Sequence, residues 1–366
     1  MSSETLLYAM ALQHVSQVGD IIAKKLISHC GTPEAIFKEK PSNLLKIDGI
    51  GRIVTSQLKI KDNLKAAEAE LNYMYKRRIK GLYFLDANYP EYLKHCIDGP
   101  LVLFVAGSSN LESKRPIALV GTRKVTPHGI AFCKSFVEGL AFQNPTVVSG
   151  LAFGVDIVAH KSAIENKLET IACLGHGLDH IYPKEHSRYI DDIMNNGALV
   201  TEFWSKTKIT SKNFVRRNRI IAGLSQATVV IESGIQGGSL ITADMALGYN
   251  RDVFAVPGRP SDVRSSGCNR LIISQKAQMI CSAVDLIYWM GWGQDENAKS
   301  IQKSLFLDLT VSEQQVFNYL QESGKEHLDQ MALNCQMTTH ETASVLLQLE
   351  LKGAVRSLPG KIFEAI

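Results

Sequence analysis

The sequence lacks the signatures of several protein classes. Its seven cysteines are odd in number and include no Cys-x-x-Cys pair, which argues against a disulfide framework and a zinc ribbon. No apolar run reaches the roughly 18 residues that a membrane span needs. The first residues, Met1-Ser2-Ser3-Glu4-Thr5, set no basic segment ahead of an apolar stretch, so no secretory signal is expected. The reducing cytoplasm is the predicted compartment. There is no Gly-x-x-x-x-Gly-Lys-[Ser/Thr], and His160-Lys161-Ser162 only mimics its tail, which disfavours a P-loop nucleotidase. No Gly-x-Gly-x-x-Gly follows the first predicted strand of the α/β region, which disfavours a dinucleotide. No cofactor is expected. Net charge is also small: 40 Lys/Arg against 36 Asp/Glu give +4.

What remains is an ordinary globular composition, 45% hydrophobic and 21% charged over 366 residues. That length exceeds one core and predicts two or three domains. The charge, though small in sum, is unevenly placed. Lys206, Lys208, Lys212, Arg216, Arg217 and Arg219 fall in one stretch without an acid, either a solvated loop or an electrostatic footprint.

Residues 1–80 read as a helical domain. Leu6, Leu7, Met10 and Ala11, then Leu64, Ala67, Leu71 and Met74, recur at helical spacing. Between them, Leu45-Lys46-Ile47-Asp48-Gly49-Ile50-Gly51 resembles the hairpin of a helix-hairpin-helix (SAM-like) domain, and Val15-Ser16-Gln17-Val18-Gly19 is a second candidate. Such glycines either bring backbone N–H groups to a phosphate or simply make tight turns. Residues 81–293 alternate β-branched runs with helical stretches, which predicts an α/β fold with a mostly parallel sheet. Its candidate strands are Ile117–Val120, Thr146–Ser149, Thr170–Leu174, Ala198–Glu202, Thr228–Glu232 and Val253–Val256. A polar linker is expected over 294–309. In 310–366, Thr310/Glu313 and Thr338/Glu341 fit capping boxes, and Val355–Ser357 with Ile362–Glu364 read as a hairpin. Helices followed by a hairpin predict a winged-helix domain. Its four Lys/Arg against seven Asp/Glu make it a poor DNA reader and a better protein-contact or regulatory module.

Three predicted strands end in glycine-bearing loops that open a helix. Gly121-Thr122-Arg123 precedes Thr126-Pro127, a cap with proline behind it. Ser149-Gly150 begins a loop reaching Asp156, and Ser233–Ser239 includes Gly237-Gly238. Loops at the carboxyl ends of parallel strands are where such sheets bind ligands. Glycines, helix dipoles and Arg123 together point to a phosphate. Asp156 and His160 stand one turn apart, as an acid–base pair or, more ordinarily, with Asp156 bonding backbone N–H groups of the turn. His176, Asp179, His180 and His186 lie in a Gly/Pro-punctuated loop with no helix to set ligand geometry, so no metal is expected.

Seven motifs in order carry a resemblance. They are Gly121-Thr122-Arg123, Ser149–Asp156 with Ala159-His160, and Leu174–Asp179 with Tyr182-Pro183. Arg217–Ser225, Gly238–Ala243, Val253–Gly258 and Gly267–Ile272 follow. Together they resemble the DNA-processing protein A (DprA/Smf) family over about residues 85–285. That resemblance implies a Rossmann-like domain and a non-enzymatic homodimer that binds single-stranded DNA. It also implies protection of incoming DNA during transformation and loading of RecA in place of single-strand-binding protein. Carried across by motif, Arg123 meets a phosphate and Lys212, beside Asn213, meets DNA. Phe214 stacks on a base, and Arg217, Asn218 and Arg219 line the same wall. Ser149-Gly150 and Gly237-Gly238-Ser239 supply backbone phosphate turns. Backbone donors, cations and one aromatic suit a single strand bound without sequence reading.

An enzymatic rival is an N-glycosidic hydrolase of nucleotides, whose glycine loop Gly237–Asp244 superficially matches. Leu240 and Ile241 replace its small residues, and Asp244 its longer carboxylate.

Overall fold

The computed structural model describes residues 3–58, 62–292, 309–352, 354–358 and 361–365. Most of the expected linker, residues 294–308, lies outside them, as do Gly353, Pro359 and Gly360. Residues up to Trp292 form one compact unit, and those after it a second.

The first unit is built on a nine-stranded sheet. Its strands are β1 Lys80–Tyr83, β2 Val102–Gly107, β3 Pro116–Val120, β4 Thr146–Ser149, β5 Thr170–Cys173, β6 Gly197–Thr201, β7 Ala227–Val230, β8 Asp252–Ala255 and β9 Gln278–Met279. Their order is β1-β2-β6-β5-β4-β3-β7-β8-β9. The ladder from β6 to β9 is parallel, while β1/β2 and β2/β6 pair antiparallel. This is the Rossmann-like, mostly parallel α/β fold expected, extended by three strands that periodicity does not mark.

Every residue of β3 is buried, as a strand covered on both faces must be. Alternation divides its side chains. Ile117 and Leu119 pack under the helices Pro127–Leu140, Val155–Glu165 and Ala283–Trp289. Ala118 and Val120 pack under Ser211–Leu224 and Gly238–Gly248. Buried Ile, Leu and Val side chains of this kind contribute about 1.5–3 kcal/mol each.

The N-terminal helices gather an apolar cluster that is completed by the edge of the sheet. Leu6, Met10, Leu26, Ile47 and Ile50 share a cluster with Tyr83, Val102 and Phe104 of β1 and β2. Gly19 precedes the helix Asp20–Cys30, whose buried Asp20 accepts from Leu101 N at 2.8 Å. The Val15–Gly19 turn therefore abuts the segment that leads into β2. In the Leu45–Gly51 hairpin, Gly49 at φ +83° takes the left-handed turn that favours glycine.

The second unit runs Val311–Ser323, β10 Lys325–His327, Leu328–Asn334, Thr339–Leu351, β11 Val355–Leu358 and β12 Ile362–Ala365, with sheet order β10-β12-β11. It is the winged helix expected, and both capping boxes form, on Thr310/Glu313 and Thr338/Glu341.

Candidate nucleic-acid interface

β3 pairs with β4 on one side and β7 on the other. The chain winds away in opposite directions from that boundary, so the loops at its carboxyl end part into a crevice. A cleft of about 580 Å³ opens there, walled by Gly121–Arg123, residues 209–218 in part, and Gly237–Ser239.

The β3 loop is held tightly. Thr122 N donates to Glu232 O at 2.6 Å, and Val155 N to Thr122 O at 3.2 Å. A Cβ on Gly121 would come within 2.9 Å of Glu232 O, so only glycine fits the approach. Arg123 is exposed beyond this anchor, its guanidinium 5.8 Å from the centre of the Phe214 ring. Opposite it starts the helix Ser211–Leu224, capped by Thr210, whose Oγ1 accepts from Asn213 N at 3.3 Å. Phe214 is half-buried in the wall, with Tyr182 at 5.6 Å between ring centres. The third wall is the start of Gly238–Gly248. Gly237 offers no side-chain cap, and Ser239 Oγ turns inward to Ser233 Oγ at 2.8 Å. The first-turn N–H groups and the dipole of that helix favour an anion there. Asn218 ties the two helices, donating to Gly238 O at 3.4 Å.

At the back wall of the cleft lies Arg217, 3% exposed. Its Nη1 donates to Gly150 O at 2.5 Å and to Cys173 O. Burial lowers its pKa while Asp156 opposes the shift. Burial in turn raises Asp156, held back by Arg217 and by backbone donors including Ala152 N at 3.4 Å. Asp156 thus organises the loop. His160 instead faces Thr170 Oγ1 at 2.7 Å, and burial pushes it down to about 3. The two do not form an acid–base pair. His176 spends both ring nitrogens on its loop, Nδ1 against Gly177 O at 2.8 Å and Nε2 accepting from Tyr182 N at 3.3 Å. His186 Nδ1 meets Leu151 O at 2.8 Å.

The cleft brings together Gly121, Thr122, Arg123, Phe214, Arg217, Asn218, Gly237, Gly238 and Ser239. Five other candidates stand elsewhere. Lys212 is exposed on the first helical turn beside Ser211, which lines the wall. Asn213 spends its amide on Lys208 O at 2.9 Å. Ser149 and Gly150 are buried: Ser149 Oγ donates to Leu119 O at 2.6 Å, and Gly150 receives Arg217. They form the support of the wall rather than its face. Arg219 is a correction. It is 6% exposed, and its Nη2 meets Glu202 Oε2 at 2.5 Å and Asp20 Oδ2 at 2.9 Å. Helical rotation of two residues carries it away from Arg217, toward the N-terminal helices. Tyr182, Ile209 and Thr210 line the cleft and are not among the residues that the sequence motifs single out as the site. An aromatic within a Gly/Pro-rich loop is the available signal for Tyr182. Asp244 pairs with Lys276 at 2.8 Å and does not line the cleft.

Residues 80–291 match the family model described as DNA recombination-mediator protein A, and residues 307–361 match the DprA winged helix domain. The chain belongs to the DprA/Smf family. Protein Smf of Synechocystis is 30% identical over 402 residues, covering 100% of both chains. The X-ray structure of DprA from Streptococcus pneumoniae matches with a TM-score of 0.65 at 31% identity, over 78% of this chain and 98% of that one. A Helicobacter pylori DprA structure, described for its single-stranded DNA binding mode, matches with a TM-score of 0.53 at 28% identity, over 58% and 95%. No helix among the described residues is long and apolar enough to cross a membrane.

Proposed function

We propose that this chain binds single-stranded DNA in the cleft and mediates recombination by placing RecA on the bound strand. In this reading it works as a cytoplasmic homodimer, without catalysis, shielding incoming DNA and displacing single-strand-binding protein. The observation that carries the reading is the meeting of Arg123, Phe214 and the uncapped start of Gly238–Gly248 in one cleft at the sheet boundary. Cations and helix N-termini take phosphates regardless of base, and an aromatic face accepts any base. The Helicobacter pylori relative, described as binding single-stranded DNA, supports the same chemistry. The hydrolase reading is disfavoured because Asp244, its would-be carboxylate, is engaged by Lys276 at 2.8 Å.

The test is RecA filament formation on single-stranded DNA pre-coated with single-strand-binding protein. Addition of this chain should shorten the lag before filaments grow. An unchanged lag refutes the loading role, and no salt-sensitive binding to an unstructured oligonucleotide refutes the DNA reading itself.

A further inference from the structure

A second cleft, of about 830 Å³, opens beside the first, between the carboxyl ends of β7 and β8 and the start of the helix Pro127–Leu140. It shares no lining residue with the first. The two are joined by backbone, where Thr122 N donates to Glu232 O. Phe132, Ile231, Val256 and Pro257 give it apolar walls, and Arg259 stands exposed at its mouth.

Glu232 is the buried charged residue of this lining, 4% exposed. One carboxylate oxygen, Oε2, accepts from Thr126 N at 3.1 Å and from Thr126 Oγ1 at 3.0 Å. The other, Oε1, has no hydrogen-bond partner. A buried acceptor without a donor is costly and calls for a partner. The other lining carboxylate, Asp262, is already served by Arg264 N at 2.9 Å and Ser265 Oγ at 3.0 Å. The cleft therefore combines one unpartnered acceptor buried in its wall, apolar walls suited to a flat ring, and a cation for an anion at the rim.

We infer that this second cleft seats a nucleotide whose base carries an amino group, with Glu232 accepting from the base and Arg259 meeting the phosphate. Cytosine, adenine and guanine offer such donors, whereas thymine offers no amino group. The nucleotide belongs either to the strand held in the first cleft, in which case the inference rests on that reading, or to the free pool.

Fluorescence anisotropy on thymine 15-mers, with and without two central cytosines, tests the strand source. Calorimetric titration with dCMP and with TMP tests the free source. Glu232→Gln keeps an oxygen for Thr126 and puts an amide NH2 where the unpartnered oxygen stood. Arg259→Glu, on an exposed residue, is the second variant. The parent should favour the cytosine ligand by about fivefold or more in at least one arm, the low end of what a well-placed base contact gives. Glu232→Gln should erase that preference, and Arg259→Glu should weaken the favoured ligand. Preference in the oligonucleotide arm assigns the seat to the strand, and in the dCMP arm alone to a free nucleotide. No preference in either arm, or one that survives Glu232→Gln, overturns the inference. Failure of the parent to bind either 15-mer refutes the first-cleft reading instead, and the dCMP arm then decides this one.

Discussion

Replacing Arg219 with methionine separates two roles that its sequence position leaves open. Its guanidinium is 6% exposed and lies 2.5 Å from Glu202 and 2.9 Å from Asp20. Removing one partner of a buried ion cluster typically costs about 3–5 kcal/mol, because the charges left behind are uncompensated. Arg216 still reaches Glu202 at 2.5 Å and Asp20 at 3.1 Å, but it is half-exposed. The low end, about 3 kcal/mol, is therefore expected. For a unit of some 290 residues, unfolding at about 2.1 cal/mol/K per residue turns this into a fall of about 5 °C in Tm. Burial already raises the Glu202 pKa against the pull of Arg219 and Arg216. With Arg219 gone, Glu202 takes up a proton more readily, so the deficit should shrink as the pH is lowered. The assay is thermal unfolding at two pH values, paired with oligonucleotide anisotropy at a temperature where both proteins are folded. Adding Glu202→Leu should recover at least half of the loss, since Arg216 and Asp20 then remain a pair. An unchanged Tm together with a tenfold weaker DNA affinity would refute the reasoning and return Arg219 to the DNA surface.

Two further outcomes follow from the same geometry. Phe214→Ala should weaken single-stranded DNA binding by about 1–3 kcal/mol, the range for removal of a stacking platform, while Phe214→Trp retains it; equal affinities in anisotropy would remove the stacking role. His160 is buried with its pKa pushed down to about 3 from 6.5, so its contribution is complete above the unfolded value and is lost as pH falls below 6.5. Between pH 7 and 5 this amounts to about 2 kcal/mol. Urea titrations should show that decline, and His160→Gln should flatten it; an equal slope in both proteins would contradict the assignment.

Much of the sheet is legible because buried parallel strands are short β-branched runs ending in glycine, and Ile117–Val120 and Thr146–Ser149 reappear almost unshifted as β3 and β4. The antiparallel strands are not, since β1 holds Lys80 and Gly81 and shows little alternation. The site is legible at the level of loops, because strand ends and helix starts fix where backbone donors gather. It is not legible at the level of helical phase. Arg217 and Arg219 sit two residues apart in one basic run, yet one supports the cleft wall and the other joins Asp20, 199 positions away. Long-range partners of that kind leave no local trace. The same limit applies to Ser149-Gly150, whose glycine reads as an open phosphate turn until Arg217 is placed against it.

The central claim is that the first cleft holds the DNA backbone, and a salt series on Arg123→Glu tests it most directly. Arg123 is exposed in the cleft wall, so the change should leave the fold intact. Each phosphate of a single strand that the protein no longer neutralises lowers the slope of log K against log salt by about 0.7. The account predicts weaker binding at every salt concentration and a slope shallower by at least that amount. Binding that overlays the parent across the whole series would contradict it.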